Sequence, residues 1–116
     1  MELEYKWKKR LVRLPDFIDN MDENDYWLWL YLRAITESIY DLCFIKNPDT
    51  NKLIGECNKN MRYIENLLGE TSKKYLGVIV YLVEFYDDIL EDMVENEMFE
   101  AAARLKKLDN NFYVKK

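Results

Sequence analysis

The chain has 116 residues, of which 49% are hydrophobic and 15% aromatic, and its formal net charge is −5. This length allows one domain with a real hydrophobic core, so we predict a single helical domain over residues 1–116. The acidic charge disfavours binding to the phosphate backbone of nucleic acids. The sequence contains no histidine, which excludes Ser-His and Cys-His catalysis and histidine-ligated zinc.

Two features indicate the cellular compartment. Cys43 and Cys57 stand at no metal or redox spacing, and the amino terminus lacks the apolar segment of a secretory signal. The longest apolar runs, residues 26–32 and 78–83, are far shorter than the roughly 20 residues of a membrane span. We therefore expect a cytoplasmic protein with reduced thiols, no cofactor and no membrane partner.

The amino-terminal stretch differs in pattern from the rest of the chain. Leu3, Tyr5 and Trp7 alternate with charged residues, and a period of two indicates extended backbone. No second strand is evident beside it, so we predict an extended arm that packs on the bundle or pairs across a dimer. Pro15 suits the first turn of a short helix over residues 15–21.

Capping residues and chain breakers then predict four longer helices. Asp22 or Asn24 can cap the second helix, and Pro48 follows its end because proline cannot continue the hydrogen-bond ladder. Gly69 is placed as the stop of the third helix. The predicted helices span residues 25–45, 51–68, 72–95 and 98–109.

The first half of the fourth helix is apolar on nearly every side. The apolar pattern of residues 75–83 therefore predicts that this part of the helix is buried on most of its sides. Their β-branched residues leave a buried strand as an alternative, but the regular acidic pattern that continues from Glu84 favours a helix. We predict an all-α fold: a compact four- to five-helix bundle with an extended N-terminal arm and a C-terminal helical hairpin.

The second helix carries large side chains on two opposite sides. At 100° per residue, one broad face is core: Trp27, Leu30, Tyr31, Ala34, Ile35, Ser38, Ile39 and Leu42. The opposite side carries Tyr26, Trp29, Arg33, Tyr40 and Phe44. Trp, Tyr and Arg dominate binding hot spots. Either another part of the chain covers this side, or it binds a protein partner, with a two-fold homodimer as the expected assembly.

Charge is distributed unevenly along the chain. Basic residues cluster between positions 6 and 13, and acidic residues between 84 and 100, where no Lys or Arg occurs. Two interpretations remain open: a solvated acidic face with a basic arm, or a pair of electrostatic docking surfaces. Glu84, Asp87, Asp88 and Glu91 share one helix face. They form the predicted acidic docking surface.

The same carboxylates support an alternative as a magnesium site. Carboxylate oxygens are ligands of Mg²⁺, and all-α nucleotide pyrophosphohydrolases pair such groups on facing helices. Glu37, Asp41 and Glu65 are possible donors from other helices. The doubled-glutamate motif of those enzymes is absent, however, and the acidic run contains no cation to hold phosphate. We therefore predict no metal and no catalytic residues, with a Mg²⁺-dependent nucleotide hydrolase as the alternative.

The C-terminal stretch ENEMFEAAARLKKL resembles the UVR motif, a helical hairpin of UvrB- and UvrC-type nucleotide-excision-repair proteins. The second helix of that motif is matched at Phe99, Glu100, Ala102, Ala103 and Leu105. Lys106 and Lys107 stand where the motif has Arg-Asp. Such hairpins are binding elements, so the resemblance implies either a protein partner or self-association, with contacts through Phe99, Ala102, Ala103 and Lys106.

The spacing of the same stretch predicts how it packs. Phe99, Ala102 and Leu105 lie towards one side of a helix, whereas Lys106 and Lys107 turn away from it. We predict a closed hairpin that buries the first three residues against the fourth helix. The alternative is an open hook whose apolar side contacts a partner.

These patterns favour binding over catalysis. We predict a small non-catalytic intracellular protein that acts as an adaptor or inhibitor of a larger enzyme. The abundance of Lys, Asn, Glu and Ile is typical of AT-rich genomes, which suggests a phage or a low-GC bacterium as the source.

Overall fold

The computed structural model describes residues 2–11, 18, 22–69 and 71–113, the last five of these by their backbone alone. Within this part of the chain there are five α-helices and no strand. The helices are α1 (Glu2–Leu11), α2 (Glu23–Phe44), α3 (Thr50–Leu68), α4 (Lys73–Glu95) and α5 (Phe99–Tyr113). The predicted all-α helical bundle is therefore confirmed.

Short polar residues set the ends of the helices. Asp22, Asp49 and Ser72 are the N-caps of α2, α3 and α4, and each side chain accepts a hydrogen bond from the backbone N–H three residues later. Such caps satisfy amides that have no partner inside the helix. Gly69 ends α3 with φ 79°, a conformation that favours glycine. The predicted cap at Asp22 and stop at Gly69 are both confirmed.

The turn between α4 and α5 is a Schellman motif. The backbone N–H of Met98 donates to the carbonyl of Met93 at 2.8 Å. That of Glu97 donates to the carbonyl of Val94 at 3.1 Å, which completes the pattern that satisfies the last carbonyls of a helix. The turn reverses the chain within three residues, so α5 packs back on α4. This confirms the predicted C-terminal hairpin.

α2 is the central element of the bundle, since it contacts each of the other four helices. Its residues Leu28, Ile35, Ile39 and Leu42 are fully buried. An ion pair between the buried Asp25 and the partly exposed Lys74 joins the start of α2 to the start of α4. One cluster of buried side chains runs through all five helices.

The amino-terminal stretch is a helix, so the predicted extended arm is wrong. α1 lies against α2 and α4, and Trp7 is 0% exposed. The ring of Trp7 contacts Phe85 edge-on, with centroids 5.2 Å apart. Its Nε1 donates a hydrogen bond to Asp92 Oδ2 at 2.8 Å. α1 is thus an integral part of the core.

The alternating pattern led to the wrong prediction of an extended arm because it covers only a few residues. Leu3, Trp7 and Leu11 are also spaced four apart and share one side of a helix, and this side is the one that packs inwards. Tyr5, which an extended arm would place beside Leu3 and Trp7, is 62% exposed. The predicted short helix over residues 15–21 lies outside the described residues except at Ile18, which is buried.

Burial in α5 follows the prediction at four positions and departs from it at one. Ala102 and Leu105 are buried, and Lys106 and Lys107 are exposed. Phe99, however, is 61% exposed, so its predicted burial is wrong. The core side of α5 also includes Ala101 and Leu108. At 100° per residue Phe99 lies about 160° from Ala101 and about 180° from Leu108, on the opposite side of the helix.

The outer side of α4 also departs from the prediction. Leu76 is 57% and Val80 56% exposed, whereas Val78 and Leu82 are fully buried. The expected burial of residues 75–83 on most sides is therefore wrong for one side of the helix. A sequence pattern that is apolar all round indicates contacts on all sides, but the other described helices cover only part of α4.

The burial of Leu105 and the exposure of Phe99 predict different effects on stability when each side chain of α5 is truncated to alanine. Leu105→Ala should destabilise the protein by about 2–5 kcal/mol, since it empties a buried site. Phe99→Ala should change the free energy of unfolding by less than about 0.5 kcal/mol, as surface substitutions do. Denaturant unfolding of both variants measures this, with Lys107→Ala as the exposed control. A large loss of stability in Phe99→Ala would contradict the open position of its ring.

Candidate partner-binding surface

The aromatic residues predicted on one side of α2 do not form one surface. At the C-terminal end of the helix, Tyr40 is only 7% exposed. Its hydroxyl donates a hydrogen bond to Glu4 Oε1 of α1 at 3.2 Å, and its ring lies 4.8 Å from that of Phe44. α1 therefore covers this end, as the first of the two alternatives for this side of α2 predicts, and Tyr40 is too buried to serve as a partner-binding residue. Phe44 is half-buried beside it.

The N-terminal half of α2 is more open. Tyr26 is 47% exposed, as a partner-binding residue requires. Trp29 is half-buried, and the guanidinium of Arg33 lies over its ring at 5.7 Å. Arg33 also donates to Glu37 Oε1 at 2.8 Å. Trp29 thus packs partly against the core and contacts Arg33 along α2, and Tyr26 belongs to a larger group of rings.

Four aromatic side chains from α2 and α3 form a connected surface, which we call the aromatic patch: Tyr26, Trp27, Tyr31 and Tyr63. The ring centroids of Tyr26 and Trp27 are 5.8 Å apart, and those of Trp27 and Tyr31 are 6.1 Å apart. Tyr31 contacts Tyr63 across the two helices at 5.1 Å. Such separations allow favourable ring contacts. Three of the rings remain solvent-accessible, with Trp27 42%, Tyr26 47% and Tyr63 41% exposed.

Most of the aromatic patch departs from the pattern that the sequence predicts. Trp27 and Tyr31 were assigned to the core side of α2, but Trp27 is exposed and Tyr31 half-buried. The reason is that α2 is contacted by four helices, which widens its buried side and turns it towards Leu28 and Leu32. The exposure of Tyr63 could have been predicted from the sequence, because this residue lies on the polar side of α3, away from the apolar stripe that packs inwards.

Polar residues surround the aromatic patch. On α3, Lys59, Arg62 and Asn66 lie four residues before, one before and three after Tyr63, and all three are exposed. Glu23 and Asn24, at the start of α2 beside Tyr26, are exposed as well. Aromatic rings within a polar rim are the usual composition of a protein–protein contact surface.

The basic and acidic stretches of the sequence meet within the chain. Lys6 of α1 contacts Asp92 of α4 at 2.7 Å, and Arg10 contacts Asp88 at 3.0 Å. The guanidinium of Arg10 also lies over the Phe85 ring at 5.3 Å. The two oppositely charged segments are therefore docking surfaces for each other.

The predicted acidic docking surface is accordingly divided. Asp88 forms an ion pair with Arg10 of α1 and remains exposed, as do Glu84, Asp87 and Glu91 on α4.

The carboxylates on α2 and α3 that were predicted as possible magnesium ligands interact with other side chains of the chain. Glu37 is bound to Arg33, and Glu65 accepts a hydrogen bond from the Tyr75 hydroxyl at 3.2 Å. Burial, and then the charge of Glu37, raise the pKa of Asp41. Among the residues that the structure describes, no three His, Cys, Asp or Glu side chains are placed to hold a metal ion.

A cleft of about 440 Å³ lies beside the α4–α5 turn. Cys43 lies at it together with Met98, Phe99 and Arg104. Arg104 donates from Nε to the carbonyl of Leu42 at 2.6 Å, which satisfies one of the last carbonyls of α2. Burial raises the pKa of Cys43 to about 12 despite the nearby Arg104, so this thiol is not an activated nucleophile.

Comparisons with known proteins add no relative. No family model, no curated protein and no solved structure matches the chain. Within the described residues, no helix combines the length and the apolar character needed to cross a membrane.

The contact between Tyr40 and Glu4 predicts a distinctive ionisation. Burial, followed by the charge and hydrogen bond of Glu4, raises the pKa of Tyr40 from 10.0 to about 12. The stabilising contribution of Tyr40 should be fully present below pH 10 and lost as the pH rises through about 12.

Near-ultraviolet absorbance of tyrosinate measures this ionisation. Comparison of the wild type with Tyr40→Phe should show the loss of a tyrosine that ionises near pH 12 in the folded protein. Glu4→Gln is the matched variant, and it should lower this pKa because it removes the adjacent charge. If Tyr40→Phe removes a tyrosine that ionises near pH 10 instead, α1 does not cover Tyr40.

Proposed function

We propose that this chain is a small non-catalytic regulatory protein that binds a protein partner through the aromatic patch. The observation that carries the proposal is the contiguous group of rings centred on Trp27. Single exposed hydrophobic residues are ordinary on a protein surface. Here Tyr26, Trp27 and Tyr63 are each more than 40% exposed and belong to one chain of ring contacts.

The physical chemistry of the aromatic patch suits a protein partner. Trp and Tyr combine a large apolar area with a polar group, and they are the residue types most enriched at binding hot spots. Docking a partner would remove the exposed parts of these rings from water, which is favourable in proportion to the apolar area buried. Lys59 and Arg62 at the rim suit a partner surface that carries carboxylates.

The exposed side of α5 is the second part of the proposed binding surface. Phe99, Ala103 and Lys106 are exposed and lie at i, i+4 and i+7, so they share one helix face. Their position supports the binding role that the resemblance to the UVR motif implies. Ala102 belongs to the buried side, where it positions α5 rather than contacting a partner.

The proposed role is that of a cytoplasmic adaptor or inhibitor. Such proteins need a rigid scaffold that presents a few anchoring side chains, because ordering flexible groups on binding weakens affinity. The aromatic patch meets this need, since α2 carries three of its four rings and packs against every other described helix.

The proposal can be tested by comparing how well the wild type and variants of exposed aromatic residues capture the partner. The tagged wild-type chain should capture a defined protein from the source cells. Trp27→Ala and Tyr63→Ala should each weaken capture by about tenfold or more, which corresponds to roughly 1.4 kcal/mol. Tyr5→Ala is the control, because Tyr5 is 62% exposed but lies on α1. Thermal melts of all three variants should remain close to that of the wild type.

Two outcomes would contradict the proposal. Equal capture by the wild type and the two patch variants would show that the aromatic patch is not the binding surface. Loss of capture in Tyr5→Ala to the same extent would show that capture reports general stickiness of exposed aromatic residues. Phe99→Ala in the same assay separates the contribution of α5 from that of α2 and α3.

A further inference from the structure

The outer side of α4 carries a second apolar surface, distinct from the aromatic patch. Six residues follow one another at intervals of four, three, four, three and four: Leu76, Val80, Val83, Asp87, Leu90 and Val94. This interval pattern is the heptad spacing of helices that pair along their length. We call these residues the outer stripe.

The outer stripe is accessible to solvent. Leu76, Val80 and Val94 are 57%, 56% and 46% exposed. Val83 and Leu90 are half-buried, and Asp87 is exposed. The stripe spans about 27 Å along the helix, from the rise of 1.5 Å per residue. A row of apolar side chains of this length on a surface helix is suited to contact with another helix.

We propose that the outer stripe pairs with the outer stripe of a second copy of this chain, in an antiparallel two-fold dimer. Antiparallel pairing about a two-fold axis brings the same surface of both copies together. It places Leu76 opposite Val94 of the second copy and Val80 opposite its Leu90. The inference goes beyond the proposed partner-binding function, because it uses a different helix and does not require the aromatic patch.

Charge along α4 selects the antiparallel orientation. Lys73 and Lys74 lie at the start of α4, whereas residues 84–95 carry acidic side chains and no basic ones. A parallel pair would bring these two acidic halves together, and like charges in contact destabilise a helix pair. An antiparallel pair places the acidic half of each copy beside the apolar half of the other. Lys73, which is exposed, then lies near Glu95 and Glu97 of the second copy.

Asp87 fits the same orientation. Antiparallel pairing places Asp87 opposite Val83 of the second copy, whereas parallel pairing in register would place the two Asp87 carboxylates face to face. A polar residue at one position of such a stripe specifies orientation and register at some loss of stability. A single helix pair buries less than the about 800 Å² per partner of stable complexes. We therefore expect a dimer that dissociates in the micromolar range.

Analytical ultracentrifugation of the full chain tests the interface. The wild type should show a reversible monomer–dimer equilibrium, and Val80→Glu should raise the dissociation constant at least about tenfold, because it buries a carboxylate among apolar side chains. Tyr5→Glu, on another exposed apolar residue, is the control and should leave the equilibrium unchanged. A monomeric wild type throughout the micromolar range overturns the proposal. So does a dimer that Tyr63→Glu dissociates and Val80→Glu does not, since that result would place the interface at the aromatic patch.

Disulfide trapping tests the orientation. Leu76→Cys and Val94→Cys are prepared separately, mixed and oxidised mildly, with the buried Cys43 and Cys57 left in place. Antiparallel pairing predicts a cross-linked species that contains one chain of each variant and forms much faster than either self-linked species. Predominant self-linking of Leu76→Cys would show parallel pairing and overturn the proposal.

Discussion

The packing of α1 against α4 through Trp7 is the interaction on which the rest of the structure depends. Its indole is completely buried, contacts Phe85 and donates a hydrogen bond to Asp92. This contact brings Lys6 and Arg10 onto the acidic side of α4, where they offset part of its charge. It also places Glu4 beside Tyr40. The docking of α1 through this indole thus accounts for the ion pairs of Asp88 and Asp92 and for the burial of Tyr40.

The surfaces left by this packing are of two kinds. The aromatic patch combines large rings with a polar rim and suits a different protein. The outer stripe consists mainly of aliphatic side chains at heptad intervals and suits a second helix of the same kind. The two surfaces lie on different helices, so self-association and partner binding can be separated by substitution. Leu76 on α4 is 57% exposed and Trp27 on α2 is 42% exposed, which distinguishes both from the core positions of the same helices.

Much of the helical framework was predictable, because caps and breakers act locally. Asp22 and Gly69 mark helix ends through their own backbone conformations. Which side of a helix faces the core depends instead on its neighbours, and this is where prediction failed. Trp27 was predicted in the core but is 42% exposed, and the pattern left open whether Tyr40 was covered by the chain or by a partner, whereas the structure buries it under α1. The helical state of α1 was missed because its core-facing side is specified by only three residues.

A double-mutant cycle between Trp7 and Asp92 tests most directly whether this contact organises the fold. Trp7→Phe keeps a buried ring but removes the donor, Asp92→Asn removes the charge, and the two are combined in a third variant. A hydrogen bond to a charged acceptor predicts a coupling of about 1.5–3 kcal/mol in denaturant unfolding. Each single variant should also be clearly less stable than the wild type. A coupling near zero, together with single variants as stable as the wild type, would contradict the account.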